Sequence, residues 1–345
     1  MNQSMIDPTF PLVELHRHLD GNVRLETILS LGLEHNLPLP EKNLEGLRPF
    51  IQVTEAKPDI LAYFAKFEWL VRVMVDYDAV HQIAYENVED AKNEGIDYIE
   101  LRFSPWFMSE KNQLDPVGVV EAVIDGVKIG SRDFGVKTNL IGILSRTYGP
   151  DVCKKELQAL LTHKTDIIAL DLAGDEFHYG GELFVEHFRI ARNAGWHSDP
   201  HAGEVCGPSS IWQAINKLGA ERIGHAVHAP EDPTLLDYLA KHHIGVESNL
   251  TSNVQTSTVK DYASHPLKLF LQHDILATLN SDDPGISAHY LRYEYEHAAP
   301  AAGLSPELIH KVQQNALEVA FLSKEEKTAL YIKKRSNPQK QTGLY

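Results

Sequence analysis

What constrains this chain most is a rhythm: eight short apolar stretches, each separated from the next by a segment that can form a helix. They fall at 12–18 (LVELHRH), 97–103 (DYIELRF), 138–144 (TNLIGIL), 167–172 (IIALDL), 196–202 (WHSDPHA), 221–225 (ERIGH), 244–249 (IGVESN) and 276–281 (LATLNS). Several are almost unbroken apolar runs, as in strands covered on both faces, and such strands belong to parallel sheets with helical crossovers. Eight strand–helix units predict an α/β architecture closed on itself, the (β/α)8 TIM barrel. A length of 345 residues would otherwise suggest two domains, but barrels of this kind hold it as one, so 1–345 reads as a single domain.

The intervening segments carry helix signals. Asp115-Pro116 is a cap and first-turn pair ahead of Val120, Val123, Ile124 and Val127 at helical spacing. Ser305-Pro306 repeats it ahead of Ile309, Val312, Ala316 and Val319. Between the first two strands lies a helical insertion, roughly 25–90, in which Ile60, Phe64, Phe67, Val71 and Met74 share one face. That face either packs into the core or forms a lid over the barrel mouth. The polar tail 333–345 is expected to fray.

Polar residues gather where the strands end, and in this architecture that end is the catalytic face. His16 and His18, two apart on one strand, would both point inward and suit one metal ion, although an H-x-H pair alone is equally a packed or exposed pair. His201 ends the fifth strand and offers a third nitrogen. Glu204, just beyond, is either a surface residue or a carboxyl kept protonated in a dry pocket as a proton donor. His225 ends the sixth strand. Adjacent Asp282 and Asp283 diverge on an extended backbone, so one can bind metal while the other faces substrate, and Asp-Pro-Gly also makes a turn. Three histidines and an aspartate suit zinc. His242 and His243 precede a strand at the opposite end, and nothing in the sequence gives Cys206 a nucleophile's partners.

A formal net charge of −16 argues against nucleic acid or an anionic membrane surface as partner, which leaves an uncharged small molecule. Two cysteines exclude a disulfide framework or cysteine-rich zinc site. The N-terminus lacks a signal-peptide pattern and no run reaches the ~20 apolar residues of a membrane span, so a cytoplasmic setting is expected. Oligomeric state is not legible.

LHRHLDG at 15–21, ELRFSP at 100–105, DLAGDE at 171–176, HAGE at 201–204, RIGHAVHAPED at 222–232, ESNLTSN at 247–253 and NSDDPG at 280–285 together resemble the adenosine deaminase family, its bacterial members in particular, over about 10–330. The resemblance implies hydrolytic deamination of adenosine, with 2′-deoxyadenosine a second substrate, to inosine and ammonia. It implies one Zn2+ per chain on His16, His18, His201 and Asp282, with hydroxide from the zinc attacking C6 of the purine. Glu204 would protonate N1 and His225 would assist the zinc-bound water. Asp283 would contact N7, the Gly174 N–H would contact N3, Asp20 would hold a ribose hydroxyl, and His18 would also line the substrate side. A segment around 58–75 would be a gate over the purine.

The fourth strand, IIALDLAGDE, lacks the lysine of binuclear relatives, and the H-x-E with P-C-x-x-C of cytidine-type deaminases is absent. Adenine deaminases and N6-modified purine relatives typically carry glutamate where this chain has Asp20; deamination of such purines is the alternative. Two departures stand out. Asp199-Pro200 replaces apolar or threonine residues, and proline is unusual in a central strand. It is either a local distortion that weakens the zinc site or a source of an inward carboxylate that orients a ligand histidine. A catalytically impaired purine-binding barrel is the reading outside enzymes. Ala226 stands where glycine is common, a small change.

Overall fold

The computed structural model describes residues 4–53, 63 and 65–336. Its strands are β1 Val13–His18, β2 Tyr98–Phe103, β3 Lys137–Ser145, β4 Ile167–Ala173, β5 His197–Ser198, β6 His201–Ala202, β7 Arg222–His225, β8 Gly245–Ser248 and β9 Ala277–Leu279. All eight expected strands are present, within three residues of the expected ends, and the fifth is split in two. Every pairing is parallel, in the orders β1-β2-β3-β4-β5 and β6-β7-β8-β9. The ring closes where Asp282 N–H donates to His16 O and His18 N–H donates to Asp282 O, each at 2.9 Å.

The split has a visible cause. Asp199 N–H still donates to Leu170 O on β4, and Pro200 O still accepts from Gly224 N–H on β7. Proline has no N–H to return to β7, so the ladder stops for two residues and resumes at His201, which pairs with Gly224. The distortion is therefore confined.

Helices cover the outside of the ring. Pro116–Phe134 starts on Asp115, whose carboxylate accepts from Val117 N–H at 2.9 Å, and it buries Val119, Val120, Val123, Ile124 and Val127. At about 1.5–3 kcal/mol for each fully buried side chain of this size, packing outweighs the helix cost of its glycines. Gly126 is required there: a side chain would come within 2.5 Å of His81 O on the neighbouring helix Tyr77–Glu94. Ser305 caps Pro306–Val319 as expected. Lys333–Ser336, expected in the frayed tail, instead completes the helix Lys324–Ser336, because Lys334 is buried and pairs with Asp97 at 2.7 Å. In the insertion, Leu25–Glu34, Leu44–Ile51 and Phe67–Arg72 are helical. Val71 and Met74 are buried, Met74 lying beyond the helix end, while Ile60, Phe64 and most of the first half of the 58–75 segment lie outside the described residues. No helix among the described residues is long and apolar enough to cross a membrane.

Inside the ring the packing is ionic. Arg102 donates to Asp171 at 2.9 Å and to Glu247 at 2.8 Å, and lies 3.2 Å from Asp199. Arg222 meets Asp199 at 2.7 Å, Glu247 at 2.7 Å and Glu100 at 2.5 Å, all of them fully buried. Below, the Arg222 guanidinium lies 3.9 Å from the centre of the Phe321 ring. Asp199 thus does point inward, but it bridges two arginines and orients no histidine. Without Asp199 both arginines keep carboxylate partners in Asp171, Glu247 and Glu100, but each loses an acceptor in a buried site. Asp199→Val should therefore lower stability by about 1–3 kcal/mol in a denaturant titration; an unchanged midpoint would show that Asp199 carries no such burden.

Candidate metal centre and active site

Strand alternation places His16 and His18 on the inward side of β1, β6 adds His201, and the turn after β9 adds Asp282. One donor atom from each lies within 4.8 Å of all the others. His18 Nε2 is 3.3 Å from His201 Nε2, His16 Nε2 is 3.2 Å from Asp282 Oδ1, and His18 Nε2 is 3.4 Å from that same oxygen. Zinc binds such donors at about 2.0–2.2 Å, which sets neighbouring donors about 3–4 Å apart, so the quartet fits a single ion. His16 Nε2 is buried without a hydrogen-bond partner among the described residues, which also suits a donor meant for a cation.

The opposite ring nitrogens are committed. His16 Nδ1 lies 2.7 Å from Glu247, and His201 Nδ1 lies 2.8 Å from Asp171. Carboxylates so placed accept a hydrogen bond from Nδ1–H, which fixes the proton on Nδ1 and leaves Nε2 with the free lone pair. Arg102 holds both carboxylates, so one guanidinium sets two rings of the quartet. Burial, reinforced by Arg102, pushes His16 down to about 3, and burial pushes His201 down to about 3, so both stay neutral at pH 7. His18 differs: burial opposes its charge, but Asp283, Asp20 and Asp282 outweigh it and hold the ring up to about 9. A cation bound there would take the place of that proton.

Facing the quartet is a second set of groups. Glu204 is 22% exposed at the mouth, 3.8 Å from His225 Nε2, which is itself 3.8 Å from Asp282 Oδ2. Burial by the surrounding walls raises the Glu204 carboxyl, with Asp282 adding to the rise and His225 opposing it. Asn253 Oδ1 accepts from His265 Nε2 at 3.1 Å, which turns its amide N–H toward His225 Nδ1 at 3.0 Å and leaves Nε2–H facing the site. Asp282 ionises well below the usual range: burial works against this, and His16 and the other histidines prevail. Asp283 goes the opposite way, raised by burial and then by the charge of Asp282. Tyr63 donates to Asp283 Oδ2 at 2.9 Å, whereas Oδ1 has no partner among the described residues.

Backbone strain collects here as well. His225, Ala226 and Asp282 have φ of 67°, 49° and 62°, a region that costs a residue with a side chain about 1–2 kcal/mol. Ala226 therefore holds a conformation that glycine adopts freely. Asp20 accepts from Ser104 N–H at 3.1 Å and lies 3.7 Å from His18 Nδ1. Gly174 stands apart from the quartet in the exposed loop after β4, with φ of 109° and Thr147 Oγ1 only 2.4 Å from where a side chain would begin.

The profile described as adenosine deaminase matches residues 11–334. An adenosine deaminase of Klebsiella pneumoniae is 58% identical over 326 residues, covering 94% of this chain and 98% of that protein. The chain belongs to the adenosine deaminase family. Two solved structures share its fold at lower identity. The adenine deaminase of Arthrobacter aurescens superposes with a TM-score of 0.88 at 24% identity, covering 95% of this chain and 98% of that one. An amidohydrolase of Burkholderia ambifaria with bound Zn gives 0.84 at 21%, covering 96% and 91%.

Several residues of this adenosine deaminase family member received no role from the sequence. Glu247, Asp171 and Arg102 lie inside quoted motifs, yet their partners are as far as 231 residues away, as between His16 and Glu247. Inward alternation within each strand was the usable signal, since Asp171 and Glu247 are charged residues in otherwise apolar runs. Tyr63 had no such signal. Gly21 has a packing reason: a side chain there would begin 1.8 Å from Asp283 Oδ1.

Proposed function

We propose that this chain hydrolyses adenosine to inosine and ammonia with one zinc ion held by His16, His18, His201 and Asp282. The observation that carries the reading is that four metal-type donors converge beside a carboxyl raised by burial, Glu204, and a histidine, His225. Zinc bound to that quartet would supply an activated water for attack on C6. Glu204, kept protonated, gives its proton to N1, so that the ring nitrogen accepts the electron pair as C6 becomes tetrahedral. His225, with Nε2–H fixed toward the site by Asn253, orients the attacking oxygen electrostatically. Asp283, protonated beside the ionised Asp282, has a hydroxyl to donate to N7, a pure acceptor. The Gly174 N–H takes N3, Asp20 takes a ribose hydroxyl, and His18 borders the sugar. The tetrahedral C6 then expels ammonia, its amino nitrogen taking the proton of the added hydroxyl; C6 becomes the carbonyl of inosine, N1 keeps its proton, and the proton given up by the attacking water returns to Glu204.

The short Asp20 side chain, pinned by Ser104 N–H, favours a nucleoside over a free base. An ultraviolet assay of both substrates tests this. Adenosine should be converted at least about tenfold faster than adenine, and a chelator should abolish conversion, with recovery on adding zinc. Faster turnover of adenine would transfer the chain to the other substrate class. Purine binding without ammonia release, after zinc is restored, would leave only a binding barrel.

A further inference from the structure

The β4–β6 seam is where the barrel's backbone ladder is missing. β4 pairs with β5 through Ala169–His197 and Leu170–Ser198, whereas His201 and Ala202 of β6 pair only with β7. Charged side chains close this seam. Asp171 Oδ1 accepts His201 N–H at 3.1 Å. Arg146 donates across it to Leu172 O at 2.6 Å and His201 O at 2.7 Å. Beyond the strand ends, Glu176 takes over. One oxygen accepts from Gly203 N–H at 2.6 Å and from the Ser210 hydroxyl, and the other accepts from Val205 N–H at 2.9 Å and Cys206 N–H at 3.1 Å.

We infer that Glu176 is a positioning residue for the reaction: its carboxylate pins the backbone on both sides of Glu204 and so aims the acid at N1. The inference rests on Glu204 acting as proposed above. Glu176 belongs to the same loop as Gly174, so one side chain also keeps the groups assigned to N1 and N3 of a single ring in fixed relation. The geometry leaves little slack. Gly203 has φ of 69°, and a side chain there would begin 2.4 Å from Ile211 Cδ1. Burial alone would raise the Glu176 carboxyl, but Arg146 and the donors hold it below its usual range, so it is ionised and accepts on both oxygens. An amide in its place presents one accepting oxygen and one N–H2 that faces other N–H groups.

The test is a double-mutant cycle in the zinc-loaded enzyme, using Glu176→Gln, Glu204→Gln and both together. Glu176→Gln should lower kcat for adenosine by about 10- to 100-fold, the cost of misplacing a reacting group by an ångström, with zinc content unchanged. On the Glu204→Gln background the same change should cost less than about twofold, because there is no acid left to aim. A merely structural role would cost the same factor in both backgrounds, and that result would overturn the inference. If Glu176→Gln does not fold, Ser210→Ala removes a single bond and should show a smaller loss that again vanishes beside Glu204→Gln; wild-type kcat in Ser210→Ala would then overturn it. Wild-type turnover in Glu204→Gln alone would count against the acid assignment instead, which keeps the two failures distinct.

Discussion

Glu204→Gln retains its metal and loses turnover of adenosine by about 10²- to 10⁴-fold, the range expected for removing a positioned general acid. The substitution keeps size and shape, and Glu204 is no member of the donor quartet, so metal content, measured per chain by elemental analysis, should equal that of the unaltered protein. What glutamine cannot do is surrender a proton to N1. The carboxyl can, because burial works against its ionisation, with Asp282 and Glu176 adding to this and His225 and His18 opposing it. Substrate affinity should change far less than kcat, since protonation is completed only as C6 becomes tetrahedral. Unaltered kcat would strip Glu204 of the role.

His201→Ala, by contrast, should lose metal and activity together. His201 Nε2 stands 3.3 Å from His18 Nε2, and its Nδ1 is held by Asp171, so the ring is fixed from both sides. Alanine leaves three donors of four. Loss of an orienting partner alone typically costs 10- to 100-fold in metal affinity, and loss of the ligand itself should exceed about 100-fold. The variant should come through a chelating column empty, and turnover should stay at background when zinc is added at the concentration that restores the unaltered protein. Stoichiometric zinc in His201→Ala would mean that the ligand set is wrong.

Much of this was legible before any coordinates. Strand candidates were visible because a strand covered on both faces must be apolar nearly throughout, and His16, His18, His201 and Asp282 because each stands at the C-terminal end of such a run. What pattern could not supply was pairing across the ring. Glu247 meets His16, and Asp171 meets Arg102, through contacts between strands far apart in sequence, and no local period encodes such distances. Asp199 shows the limit well. Alternation gave its direction correctly, but its partners turned out to be Arg102 and Arg222, not a histidine. Lys333–Ser336 looked like tail because its composition is polar, and composition does not reveal that Lys334 is buried against Asp97.

Ring closure carries a consequence for biosynthesis. The backbone of Asp282 bonds to that of His16 and His18, so the same short stretch that seals the sheet also delivers the carboxylate donor. A nascent chain emerging from the ribosome holds His16, His18 and His201 long before it holds Asp282. Until the last strand docks it has imidazoles but no sealed ring, so the full set of four donors comes together only when the sheet is complete.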